Sequence, residues 1–270
     1  MIGIFDSGYG GLTVFKEIRK LLPDYDYMYL GDNARAPYGG RGKEKVTSFS
    51  REAVKFLFDK GCHLVLFACY TASSLALREL QKEFLRAPGI TDKKILGVIR
   101  PVVEHAAKHS RKGAIGIVAT RATIDSKALE TELKNLKPEL KIFPKACPLL
   151  VPLIEEHWHK TPEARMILKK YLRSLKNANI DTLILGCTHY PLMMSDFKRF
   201  FGKKVDVLNG GKIVAESLVN YLERHHEIKS LLSKNGRITY YTTDDPERFF
   251  EFGRYFAKVP IEKVERVSLS

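Results

Sequence analysis

The stretch Leu64-Val65-Leu66-Phe67-Ala68-Cys69-Tyr70-Thr71 decides the fold, and Thr182-Leu183-Ile184-Leu185-Gly186-Cys187-Thr188-His189 repeats its plan. In each, a short apolar run reaches a cysteine and then passes into polar, helix-like sequence. A continuous run of Val, Leu, Ile and Phe reads as a strand buried on both faces, the signature of a parallel sheet. Open α/β sheets hold ligands at the carboxyl ends of their strands, which is where both thiols fall. Two thiols on opposite sides of one crevice can take a proton from one face of a carbon and return it to the other. That chemistry is racemisation without a cofactor.

Working outward, strand-like runs at 2–5, 27–30, 63–68, 94–99, 114–119, 141–146, 182–186 and 204–208 alternate with amphipathic helical segments. Leu12, Phe15, Ile18 and Leu22 share one helical face, as do Val46, Phe49, Ala53 and Leu57. Thr161-Pro162 and Asp245-Pro246 each set a capping side chain before a proline at the first helical position. This alternation predicts βαβ units with parallel sheets, in two similar α/β units that share a cleft. Small-molecule sites commonly occupy such clefts.

The 270 residues are 44% hydrophobic, enough for a substantial core. No apolar run approaches the roughly 20 residues of a membrane span, and no signal peptide is evident, so the expected location is the cytosol. The formal charge of +14 raises the question of nucleic acid, but Lys and Arg are scattered in small groups on helix faces rather than clustered. The charge fits better with steering an anionic small molecule inward. Cys62, Cys69, Cys147 and Cys187 form no CxxC pair and have no histidine at ligand spacing, so neither a zinc site nor any cofactor is expected. Cys62 and Cys147 read as buried structural thiols.

The loop Asp6-Ser7-Gly8-Tyr9-Gly10-Gly11-Leu12-Thr13 follows a strand, but Thr13 stands where a dinucleotide fingerprint would need its last glycine. The glycines are better explained by close backbone approach, with Asp6 and Ser7 directed into the site. Added to this loop are Pro37-Tyr38-Gly39, Cys69-x-Thr71-Ala72-Ser73, Thr120-Arg121-Ala122-Thr123, Gly186-Cys187-Thr188-His189-Tyr190-Pro191 and Asp245-Pro246-Glu247-Arg248-Phe249. In this order, across nearly the whole chain, the set resembles the glutamate racemases of the cofactor-independent aspartate/glutamate racemase superfamily.

The resemblance implies a first domain of residues 1–97 plus 209–270, a second of 98–208, and an active site between them. It implies Cys69 and Cys187 as the proton donor and acceptor, and a catalytic set completed by Asp6, His189 and Glu155. Glu156 is adjacent to Glu155, so this last assignment could slip by one residue. Ser7, Tyr38, Gly39, Tyr70, Thr71, Thr123 and Thr188 would bind L- or D-glutamate, which serves peptidoglycan synthesis, and the enzyme would be a homodimer. Alternatives are a racemase of another small acidic amino acid such as aspartate, or a catalytically weak homologue kept for binding or regulation.

An unperturbed thiol is only about 3% ionised at neutral pH, and half-ionising it requires about 2 kcal/mol of stabilisation. Helix N-termini after both cysteines are expected to supply part of that. Threonine and serine hydroxyls with loop N–H groups would stabilise the developing carbanion through the substrate carboxylate. Four residues at three places depart from the family pattern. Tyr70 replaces an asparagine, Lys127 a glycine, and Asn209-Gly210 an Asp-Ser pair. A tyrosine ring pointing into the cleft would overpack it by about 1–3 kcal/mol and weaken substrate binding.

Overall fold

The computed structural model describes residues 1–85 and 92–269. Its strands are β1 (Ile2–Asp6), β2 (Tyr27–Gly31), β3 (Leu64–Phe67), β4 (Lys94–Gly97), β5 (Ala114–Ala119), β6 (Lys141–Ala146), β7 (Thr182–Gly186), β8 (Asp206–Val207), β9 (Ile238–Thr242) and β10 (Val264–Arg266). They form a six-stranded sheet in the order β10-β9-β2-β1-β3-β4 and a four-stranded sheet in the order β6-β5-β7-β8. Every pairing between these strands is parallel. The fold is α/β with two mainly parallel sheets, as the alternating pattern predicts.

The central strands β1, β3, β5 and β7 are buried along their whole length, which is why their sequences run apolar without alternation. Helices Leu12–Leu21 and Lys43–Asp59 bury Leu12, Phe15 and Ile18, and Val46, Ala53 and Leu57, on the faces predicted. Both proline-marked starts are capped: Thr161 accepts from the Ala164 N–H and Asp245 from the Glu247 N–H.

Three strand expectations need correction. The run at 94–99 stops as a strand at Gly97, because a helix begins at Ile99. The run at 204–208 shortens to Asp206–Val207 behind a 3₁₀ turn. Strands β9 and β10, which extend the first sheet past β2, lie beyond the expected strand runs. Their residues, Ile238-Thr239-Tyr240-Tyr241-Thr242 and Val264-Glu265-Arg266, are partly exposed and interleaved with polar positions.

In each sheet a central strand is flanked by strands whose connections run in opposite directions, β2-β1-β3 and β6-β5-β7. Ligands bind at such reversals, outside the carboxyl ends. Those ends carry Asp6 and Cys69 in the first sheet, and Thr120 and Cys187 in the second.

Candidate active site

Hydrogen bonds join the two sets of strand ends. The Thr13 hydroxyl donates to the Thr188 carbonyl at 2.7 Å, and the Thr188 hydroxyl to Asp6 Oδ1 at 3.4 Å. Thr71, in the helix after β3, shares hydroxyl contacts of 3.0 and 3.1 Å with Thr120 and Thr123, which are themselves 2.9 Å apart. The first-loop glycines allow this closeness. A Cβ on Gly10 would stand 2.6 Å from His189 Cε1, and one on Gly11 2.5 Å from the Asp6 Cβ.

Cys69 is the N-cap of helix Tyr70–Leu75, with the Ala72 N–H pointing at its sulfur at 3.4 Å. Its thiol donates to Ser7 Oγ, also at 3.4 Å. The expected stabilisation of a thiolate at this helix start is nonetheless overridden. Burial foremost, and the Asp6 charge after it, push Cys69 up to about 12 against the opposing bonds from Ser7 and Ala72. Cys69 is therefore held as the protonated thiol.

Cys187 is built differently. The α-helix that follows it starts only at Met194, beyond a 3₁₀ turn at Tyr190–Met193, so no α-helix N-terminus adjoins the sulfur. Its partner is instead His189, whose Nδ1 lies 3.9 Å from Sγ. His189 Nε2 reaches Glu155 Oε1 at 2.9 Å. Burial alone would pull His189 down, but its bonds to Cys187 and Glu155, with their charges, push it up to about 10. The imidazolium thus sits between a carboxylate and the second thiol. Glu156 is turned away, exposed and 3.9 Å from Arg248, so the glutamate at His189 is Glu155.

Asp6 belongs to both sides. Oδ2 accepts from the Gly8 N–H at 2.9 Å while Oδ1 faces Thr188. Burial raises it to about 6, opposed by the His189 charge and by bonds from Gly8, Gly11 and Thr188.

The remaining predicted residues fall around this centre in unequal roles. Tyr38 is buried and its hydroxyl is committed to Asp32, while Gly39 packs so closely on Thr120 that a Cβ would be 2.8 Å from it. The Tyr70 hydroxyl turns toward Gly210. Two residues of the neighbourhood went unassigned from sequence. Thr120 completes the hydroxyl cluster, and its place in Thr120-Arg121-Ala122-Thr123 was the available signal. Asp32, fully buried, accepts from Thr243 at 2.9 Å and from Arg35, and it directly follows β2, whose neighbour β1 ends in Asp6.

The site is closed, with Cys69 4% and Cys187 6% exposed. A cavity of about 590 Å³ bordered by Arg78, Arg100, Glu132 and Tyr221 touches neither thiol. Cys62 and Cys147 are buried, as expected, and burial pushes each up to about 12. No helix among the described residues is long and apolar enough to cross a membrane.

Residues 3–218 match the family model for Asp/Glu/Hydantoin racemase. The chain is 40% identical over 268 residues to a glutamate racemase of Geobacter metallireducens, covering 99% of this chain and 96% of that one. A crystal structure of a glutamate racemase isoform from Bacillus anthracis superposes with a TM-score of 0.90 at 36% identity, covering 100% and 97% of the two chains. Another, from Francisella tularensis in complex with D-glutamate, gives 0.88 at 30% identity, covering 99% and 97%. The aspartate racemase of Picrophilus torridus, 18% identical with a TM-score of 0.54 over 84% of this chain and 98% of that one, shares the fold alone.

Proposed function

The chain belongs to the Asp/Glu/Hydantoin racemase family and is an amino-acid racemase, an isomerase, and from that premise we propose that it interconverts L- and D-glutamate by proton transfer between Cys69 and Cys187. The observation that carries this reading is the unlike surroundings of the two thiols: Cys69 bonded to Ser7 and the Ala72 N–H and held protonated by burial, Cys187 facing His189, which Glu155 backs.

In one direction, the Cys187 sulfur removes the Cα proton, leaving its electron pair delocalised into the substrate carboxylate. Cys69 then gives its proton to the opposite face and becomes the thiolate. Inversion follows, and the opposite enantiomer resets the pair by the reverse steps. Hydroxyls of Ser7, Thr71, Thr120, Thr123 and Thr188 would hold the carboxylate as charge develops on it, in a site already shielded from water. Asp6 and His189 would pass protons to and from the thiols between turnovers. The units 1–97 with 209–270, and 98–208, would act as the two domains that hold the substrate between them, paired as a homodimer in the cytosol. The product would feed peptidoglycan synthesis.

Incubation with L- and D-glutamate, and separately with aspartate, in D₂O tests the assignment. Deuterium at Cα with loss of optical activity for glutamate is expected. Turnover of aspartate in preference would replace the substrate, and binding without exchange would favour a non-catalytic homologue.

A further inference from the structure

Tyr70 is peptide-bonded to Cys69, opens the helix Tyr70–Leu75, and is buried to 3% exposure. Its hydroxyl is buried with no hydrogen-bond partner among the described residues, an arrangement that is unfavourable for a phenol taken from water. Packing against Gly210, the first residue of helix Gly210–Arg224, explains where the hydroxyl lies. A Cβ at 210 would overlap the Tyr70 oxygen, 3.6 Å from Cζ and 3.7 Å from Val102 Cγ2.

Nothing in the backbone calls for glycine at 210. Its φ is outside the left-handed region, and a helix prefers alanine to glycine. Space for the tyrosine oxygen is the remaining reason. That oxygen also lies within electrostatic reach of Cys187, whose charge adds to burial in raising the phenol. One side chain therefore begins beside the first thiol and ends against the helix that starts at Gly210.

We propose that Gly210 is a positioning residue: it forms a notch that seats the Tyr70 hydroxyl and so keeps the aromatic ring as a wall of the substrate space between Cys69 and Cys187. The proposal rests on reading those thiols as the proton donor and acceptor. A side chain at 210 meets the Tyr70 oxygen far inside van der Waals contact, with Val102 on its other flank, and so displaces the ring.

The test is a double-mutant cycle on the full chain, combining Gly210→Ala with Tyr70→Phe and with Tyr70→Asn, read by glutamate racemisation and by thermal unfolding. Gly210→Ala alone is expected to raise KM for both enantiomers about tenfold or more and to lower Tm, the mark of overpacking. Against a Tyr70→Phe reference that penalty shrinks, and against Tyr70→Asn it vanishes or turns into a small gain in Tm, because alanine then contributes only its helix preference. A penalty of the same size in all three backgrounds overturns the pairing. A fall in kcat with KM unchanged also overturns it, since loss of folded protein rather than an intruding ring produces that pattern. A parent chain inactive on glutamate would instead refute the substrate assignment, and the Tm cycle would still decide whether the notch exists.

Discussion

Cys69 and Cys187 end equivalent strands of two sheets, yet their surroundings have little in common. Around Cys69 are a serine hydroxyl, a helix N–H and the field of Asp6, which together with burial leave a neutral thiol. Around Cys187 is an ionised histidine anchored by a carboxylate. The two sheets thus present unlike groups at matching strand ends. Two positions that match in the fold are therefore given unlike chemical surroundings, a difference that the proposed proton transfer between them would use.

Single thiol deletions probe this difference most severely. Cys69→Ala and Cys187→Ala should each depress net racemisation by about 10³-fold or more, because inversion needs a donor and an acceptor on opposite faces. Their isotope exchange should differ. Cys69→Ala should still wash solvent deuterium into one enantiomer through Cys187 and His189, whereas Cys187→Ala, left with a protonated thiol, should not. Equal exchange in the two variants would erase the distinction.

Replacing His189 with Asn should lower kcat by about 10²-fold or more, the usual contribution of a positioned acid or base. The milder Glu155→Gln keeps the ring but removes one of the two partners that hold its proton. Its alkaline limb in kcat/KM should move down from the region of pH 10 by about one unit, as loss of a neighbouring charge requires. An unmoved limb would mean that Glu155 only packs against the ring.

The smallest effect concerns Asp6 and is one of stability. Its folded-state pKa is raised from 3.8 to about 6, so the folded chain binds the proton more tightly than the unfolded one. Stability from this group is fully present below pH 4 and is lost as pH rises to 6, leaving a neutral-pH penalty of about 1–3 kcal/mol. Asp6→Asn should therefore narrow the difference in Tm between pH 4.5 and pH 7.5 while reducing activity. A difference as wide as the parent's would show that Asp6 is not strained by its burial.

Much of this was legible in the chain. Strand runs such as Leu64–Phe67 and Thr182–Gly186 announce themselves because parallel strands buried on both faces are continuously apolar, and residues directly after them must line a carboxyl-end site. What could not be read locally depends on long-range contact. The neutral state of Cys69 comes from burial and from Asp6, 63 positions upstream in sequence but close in space. Tyr70 and Asn209-Gly210 stood out as separate departures, and only folding shows that 70 and 210 touch. The third departure has a local meaning: Lys127 adopts φ of 55°, a left-handed conformation that glycine enters without strain. Strand β10 escaped notice because three residues at a sheet edge carry too little pattern.

Thr188 stands between Cys187 and His189 and is bonded to Thr13 and Asp6, residues 175 and 182 positions away. Contacts of that separation close very large loops and tend to form late on the path to the native state. During refolding, the environment of Trp158 and the helical signal should recover before racemase activity does. Function would be the last property the chain acquires and, on gentle denaturation, the first it gives up.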